Sequence, residues 1–181
     1  KGAIFLSTPF SRKAVDRLVK FKVKAFKIGS GECNNYPLVD YIASFGKPII
    51  ISTGMNDISS INKAIEILKK RKVQYAILHT TNLYPTLHSD VRLNALTELK
   101  KIFPNTVIGL SDHTGDNYTS YAAIALGASI IEKHFIDKSS RKGPDISASV
   151  NTKQMSELLK GVGLIHKAMP GGIKPILKEK K

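Results

Sequence analysis

His113 and His134 occupy equivalent places, each closing a short apolar run in the triplets Ser111-Asp112-His113 and Glu132-Lys133-His134. A neutral imidazole is a good ligand for a divalent cation, and two of them ending neighbouring strands can converge on one ion. The other reading is a pair of hydrogen-bonded rim histidines. The remaining three of the five histidines carry less. His79, one residue inside a run end, and His166, in the last helical segment, read as structural, and His88, in a loop, reads as solvated.

Lys27 and Lys133 lie within or at the ends of apolar runs, where a lysine needs a partner for its charge. An anionic ligand would provide one, and so would an ion pair with Glu32, Asp112 or Glu132. The other run ends are also polar: Ser7 and Thr8, Ser30 and Glu32, Ser52 and Thr53, then Thr80-Thr81-Asn82-Leu83-Tyr84. Hydroxyl and amide donors at successive run ends suit a phosphate or carboxylate. Taken singly, each is an ordinary turn or cap residue.

These groups need elements that bring them to one place. Short apolar runs recur at Ala3–Leu6, Ala25–Ile28, Ile49–Ile51, Tyr75–Leu78, Val107–Leu110 and Ser129–Ile131. Between them lie helical spacings such as Ala14/Val15/Leu18/Val19, Ile61/Ala64/Ile65/Leu68 and Leu93/Leu96/Leu99, with Ser11, Ser60 and Asp90 placed as N-caps. Continuous apolar strands alternating with helices predict an α/β fold built on a parallel sheet. A spacing of about 22 to 32 residues between runs is that of a TIM-type (β/α)8 barrel, whose chemistry gathers at the carboxyl ends of its strands. Six units are visible where a full barrel has about eight, so an incomplete barrel lacking the first two units is expected over 1–168. A basic tail or linker, broken by prolines and glycines, is expected over 169–181.

Composition narrows the classes further. The 181 residues are 42% hydrophobic with a single cysteine, Cys33, so no internal disulfide or cysteine zinc site can form. A formal charge of +14 raises the question of nucleic acid. However, the lysines fall on polar helix faces (Lys63, Lys69, Lys70, Lys100, Lys101) or near the end of the chain, without aromatic interleaving. Neither a nucleic-acid nor a membrane partner is expected. No apolar run approaches the roughly 18 residues of a membrane span, and KGAIFLSTPF lacks the flanks of a signal peptide, so a cytoplasmic protein is expected.

Six stretches, in order, resemble the motifs of the sialic acid (N-acetylneuraminate) synthase family: KIGSGECNNYPL, GKPIIISTGM, HTTNLYPT, GLSDHTGDN, EKHF and GPD. The resemblance runs from Thr8 to about Asp145. It implies a β/α barrel followed by a small antifreeze-like domain, in a homodimer. The implied reaction joins phosphoenolpyruvate to N-acetylmannosamine, giving N-acetylneuraminate and phosphate by C–O cleavage. It also implies a divalent metal, manganese, on His113 and His134. Thr8, Lys27, Ser30, Ser52, Asn82 and Ser111 resemble the phosphoenolpyruvate-binding set, which makes Lys27 an anion-site lysine rather than a member of a structural ion pair. Glu32, Tyr84 and Asp145 resemble the amino-sugar contacts, with Glu32 the candidate for proton transfer.

The family's early-strand lysine and glutamine are expected before Lys1 and its antifreeze-like domain after Lys181, outside these residues, and ISASV follows GPD where the family more often has a cysteine or another small residue. The isolated chain is therefore expected to be a poor catalyst with exposed sheet edges. Legionaminate or pseudaminate synthase, acting on a diacetamido hexose, and a non-catalytic fragment are the rival readings.

Overall fold

The computed structural model describes residues 2–169 apart from Ser139. Helices form where the sequence supplies a cap and an apolar stripe. In α1 (Arg12–Lys20) Ser11 accepts from the Ala14 N–H at 3.2 Å, and Val15 and Leu18 are buried. Next come β1 (Phe26–Ile28), α2 (Tyr36–Ala43) and β2 (Ile49–Ser52). The third helix, α3 (Ile58–Lys70), buries Ile61, Ala64, Ile65 and Leu68, as their spacing requires. Its cap is Asp57 rather than the expected Ser60, which lies in the first turn and whose N–H donates to the Asp57 carboxylate at 2.7 Å. A carboxylate three residues upstream takes the capping position and leaves the serine inside the helix.

The chain continues through β3 (Tyr75–Thr80), α4 (Asn94–Ile102), β4 (Val107–Asp112), α5 (Tyr118–Ala125) and β5 (Ile130–Phe135). Asp90 does not cap α4; it ends a short 3₁₀ turn, His88–Asp90, ahead of it. β6 (Ser149–Val150) and α6 (Thr152–Ala168) close the described chain, α6 opening on a reciprocal capping box between Asn151 and Gln154.

All six strands are parallel and stand in chain order, β1 to β6, in one sheet, with α-helical crossovers between β1 and β5 and a loop with a 3₁₀ turn, Ile146–Ala148, between β5 and β6: an arc of a TIM-type barrel. Side chains alternate between its two faces. Phe26, Ile28, Ile49, Ile51, Ile77, Ile108 and Leu110 face the helices and form the core with the helix stripes. Fully burying an Ile or Phe side chain contributes roughly 1.5–3 kcal/mol, so this layer holds the arc together. The residues between them face the concave side, which becomes polar toward the strand ends: Lys27, Ser52, Thr80, Ser111, Glu132 and His134. Lower on that face Gly109 is required, because a side chain there would strike Leu78 and the Ile130 carbonyl, 2.5 Å from the added carbon.

The count of six strands matches expectation, but the membership differs. Ala3–Leu6 is not a strand; only the Lys27 N–H, donating to Ser7 O at 3.3 Å, ties the adjoining segment to β1, and Ile4 and Phe5 are exposed. An apolar run becomes a strand only when a ladder forms beside it. In its place β6 pairs with β5 through His134 opposite Ser149 and Phe135 opposite Val150. Of the predicted tail, all but Met169 lies outside the described residues. No described helix is long and apolar enough to cross a membrane.

Candidate active site

The carboxyl ends of β1 to β5 converge on a polar rim. From the centre of β1, Lys27 reaches across to Ser52 Oγ at 2.8 Å on β2 and to Glu132 Oε1 at 3.2 Å on β5. Glu132 also accepts from Ser111 Oγ at 2.7 Å. This chain of contacts spans the mouth of the arc and places Lys27 in an ion pair with Glu132, one of the carboxylates the sequence offered as its partner. The pair is open on one side, since the Lys27 side chain is 12% exposed and that of Glu132 43%.

Ser30 joins the rim by accepting from the Gly54 N–H at 3.0 Å, while its carbonyl accepts from Asn56 Nδ2 at 2.9 Å. Asn82 lies against Gly54 so closely that any side chain at Gly54 would collide with its amide, and Asn82 Oδ1 is buried without a partner. Thr8 is half-buried above Gly29, with its methyl 3.6 Å from where a Gly29 side chain would begin.

His113 and His134 do come together, their ring centroids 5.2 Å apart and the rings near perpendicular. His113 Nδ1 stands 2.8 Å from Thr81 O, an acceptor only, so Nδ1 carries the proton and Nε2 keeps its lone pair. Burial holds the His113 imidazole below its ordinary value, against the opposing bond to Thr81, which favours the neutral, ligating form. Nε2 meets only Ser111 Oγ, at 3.3 Å.

Tyr84 stacks on His113 with centroids 4.2 Å apart and meets His134 edge-on at 5.5 Å. Burial, with the carboxylates of Asp145 and Glu132 nearby, pushes its phenol up, so it remains a donor. Asp145 adopts a left-handed conformation, φ 62°, that turns its carboxylate to within 4.0 Å of His134 Nδ1. A carbonyl-anchored imidazole facing a second imidazole could supply two nitrogen donors to a divalent cation. Among the described residues no third His, Cys, Asp or Glu completes a metal cluster, so two protein ligands would leave coordination positions for small-molecule oxygens.

Behind the imidazoles, on the helix side, Lys133 pairs with Asp112 at 3.0 Å with both side chains almost fully buried, 2% and 0% exposed. This settles the choice left open for Lys133: its partner is a carboxylate of the protein. Burial alone would raise the Asp112 carboxyl. The Lys133 ammonium, the Ser120 and Thr119 hydroxyls and the Thr114 N–H together hold it below the usual carboxylate range.

Glu32 stands apart from these contacts. It ends a 3₁₀ turn, Ser30–Glu32, and its carboxylate accepts from Asn35 Nδ2 at 2.6 Å beside the start of α2. His79 is structural, as expected, with Nε2 2.6 Å from Val91 O. His88 pairs with Asp116 at 2.8 Å on the surface. A cleft of about 840 Å³ between α3 and α4, lined by Met55, His79, Arg92 and Glu98, contains none of Lys27, His113 or His134. The rim residue that the sequence offered only as an ion-pair partner is Glu132, which also accepts from Ser111. Its inward position, two residues before His134 on one strand, was the available signal.

The chain is similar to known proteins along nearly all its length. The N,N'-diacetyllegionaminic acid synthase of Campylobacter jejuni is 41% identical over 180 residues, 98% of this chain and 54% of that protein. The N-acetylneuraminate-9-phosphate synthase of Homo sapiens is 34% identical over 176 residues, 97% of this chain and 49% of that protein. The chain thus spans about half the length of the curated relatives it matches. Among solved structures, N-acetylneuraminic acid (sialic acid) synthetase from Leptospira borgpetersenii serovar Hardjo-bovis, in complex with citrate, superposes with a TM-score of 0.91 at 32% identity, covering 96% of this chain and 61% of that one. The pattern that defines the NeuB family matches residues 1–174. With that match over most of its length, the chain belongs to the NeuB family.

Proposed function

We propose that the protein condenses phosphoenolpyruvate with an N-acetylated amino sugar, N-acetylmannosamine by the motifs it carries, to give N-acetylneuraminate and phosphate. The observation that supports this most is the meeting of a cationic, hydroxyl-lined anion site (Lys27, Ser52, Ser111) with two ligating imidazoles (His113, His134) on one rim. Lys27 and the hydroxyls, with Thr8, Ser30 and Asn82 around them, bind the phosphate and carboxylate and stabilise negative charge as the C–O bond to phosphate breaks. A divalent cation, manganese by the resemblance, would be held by His113 and His134 and would supply Lewis-acid activation of a carbonyl oxygen. Tyr84 and Asp145 orient the sugar beside the imidazoles, and Glu32 transfers a proton.

The methylene carbon of phosphoenolpyruvate bonds to the sugar's aldehyde carbon, water adds at carbon two, and phosphate leaves. Substrates, products and charge then balance. The protein works as a homodimer in this reading. A diacetamido hexose is the second reading for the acceptor, favoured by the higher identity to the legionaminic acid synthase, 41% against 34%.

Phosphate release and sugar-acid formation from phosphoenolpyruvate with manganese and each acceptor test the proposal. N-acetylmannosamine is expected to give the faster turnover. Faster turnover of the diacetamido hexose would transfer the assignment to legionaminate, and consumption of phosphoenolpyruvate with neither sugar would favour the non-catalytic reading.

A further inference from the structure

Asp112 precedes His113 and Lys133 precedes His134, and the two charged residues are register partners across β4 and β5. Because side chains alternate along a strand, the residues flanking an outward-facing pair face inward at matching heights. Ser111 therefore stands beside Glu132, and His113 beside His134. A slip of β5 by one residue against β4 would turn His134 toward the helices and away from His113. A slip of two is the subtler error. It would preserve every apolar face, since Ile108, Leu110 and Ile131 would still point outward, yet part the imidazoles by about 6.6 Å at roughly 3.3 Å per residue.

The apolar side chains alone distinguish this register poorly, whereas a buried ion pair distinguishes it sharply, because the slipped arrangement would bury each charge without its partner. Lys133 Nζ is further held by Thr114 O at 2.7 Å and Thr114 Oγ1 at 3.0 Å. Asp112 accepts from Thr119 and Ser120 of α5 at 2.7 and 2.5 Å. The pair thus fastens β4, β5 and α5 directly behind the rim.

We propose that Asp112 and Lys133 are positioning residues, which touch no substrate but fix the β4–β5 register and thereby hold His113 and His134 together as a ligating pair. This rests on the reading of the two imidazoles as metal ligands. The test uses the full chain at a temperature well below each variant's melting point. Two quantities are read: manganese affinity by calorimetry, and ring-to-ring NOE contacts of Tyr84, His113 and His134 in the metal-free protein. Lys133→Met is expected to weaken manganese binding about tenfold or more, the scale on which groups behind metal ligands act, and to lose the Tyr84–His113 and His113–His134 contacts.

Lys133→Arg is expected to restore both readouts to within about threefold of wild type. Leu68→Ala, a buried truncation on α3 far from the rim, is expected to lower the melting point while leaving both unchanged. A folded Lys133→Met protein with wild-type affinity and intact ring contacts overturns the proposal. Should that variant fail to fold, Asp112→Asn is judged by the same criteria. A wild-type chain that binds no manganese would sink the metal reading instead. The ring contacts then decide the positioning role alone, supporting it if the variants lose them and refuting it if they keep them.

Discussion

Two lysine–carboxylate pairs of β5 lie back to back on the sheet and differ in almost everything but chemistry. On the helix side, Lys133 and Asp112 are sealed from water and every charged atom has neutral hydrogen-bond partners as well as its counter-ion. On the concave side, Lys27 and Glu132 share only Ser52 and Ser111, and the carboxylate is 43% exposed. The sealed pair resists any exchange of partners, which suits an element that sets geometry. The open pair can release Lys27 to an anion that enters the rim. One strand therefore carries a structural charge on one face and an exchangeable one on the other.

Truncation of each lysine should bring out the largest difference. Lys133→Met leaves Asp112 charged and buried, which costs about 3–5 kcal/mol for a buried pair losing one partner. Lys27→Met leaves Glu132 in contact with water, so a loss of about 1 kcal/mol or less is expected. Urea unfolding of both variants measures the gap. Equal losses would show that the concave pair is as structural as the outer one.

A smaller effect sharpens the same contrast. Glu132→Gln removes the carboxylate that occupies Lys27, so phosphoenolpyruvate is expected to bind about tenfold more tightly, equivalent to about 1.4 kcal/mol. Calorimetric titration checks it. Weaker binding would mean that Glu132 orients the ligand rather than competing with it.

Much of this arrangement is legible in the residues. The rim histidines stand out because each closes an apolar run one residue after an acid or a lysine, and strand alternation then sends both to the same face. The parallel arc follows from uninterrupted runs such as Ile49–Ile51 and Val107–Leu110. The partner of Lys133 is not legible, because three carboxylates are candidates and only the β4–β5 register selects Asp112. β6 is hidden for a related reason: Ser149–Val150 is two residues long, has almost no apolar signal, and is a strand only because β5 lies beside it. Ala3–Leu6 fails in the opposite sense, with apolar character but no ladder. The αL turn at Asp145, which brings its carboxylate to within 4.0 Å of His134, has no signal in the residue type, since a non-glycine residue rarely adopts that conformation.

Manganese titration of the wild-type chain beside His113→Ala and His134→Ala tests most directly the claim that the rim is a metal-assisted condensation site. One ion is expected to bind the wild-type chain, with affinity falling at least tenfold in each variant, because a two-imidazole site loses half its protein ligands with either change. Unchanged affinity in both variants would contradict the assignment of His113 and His134 as the ligands.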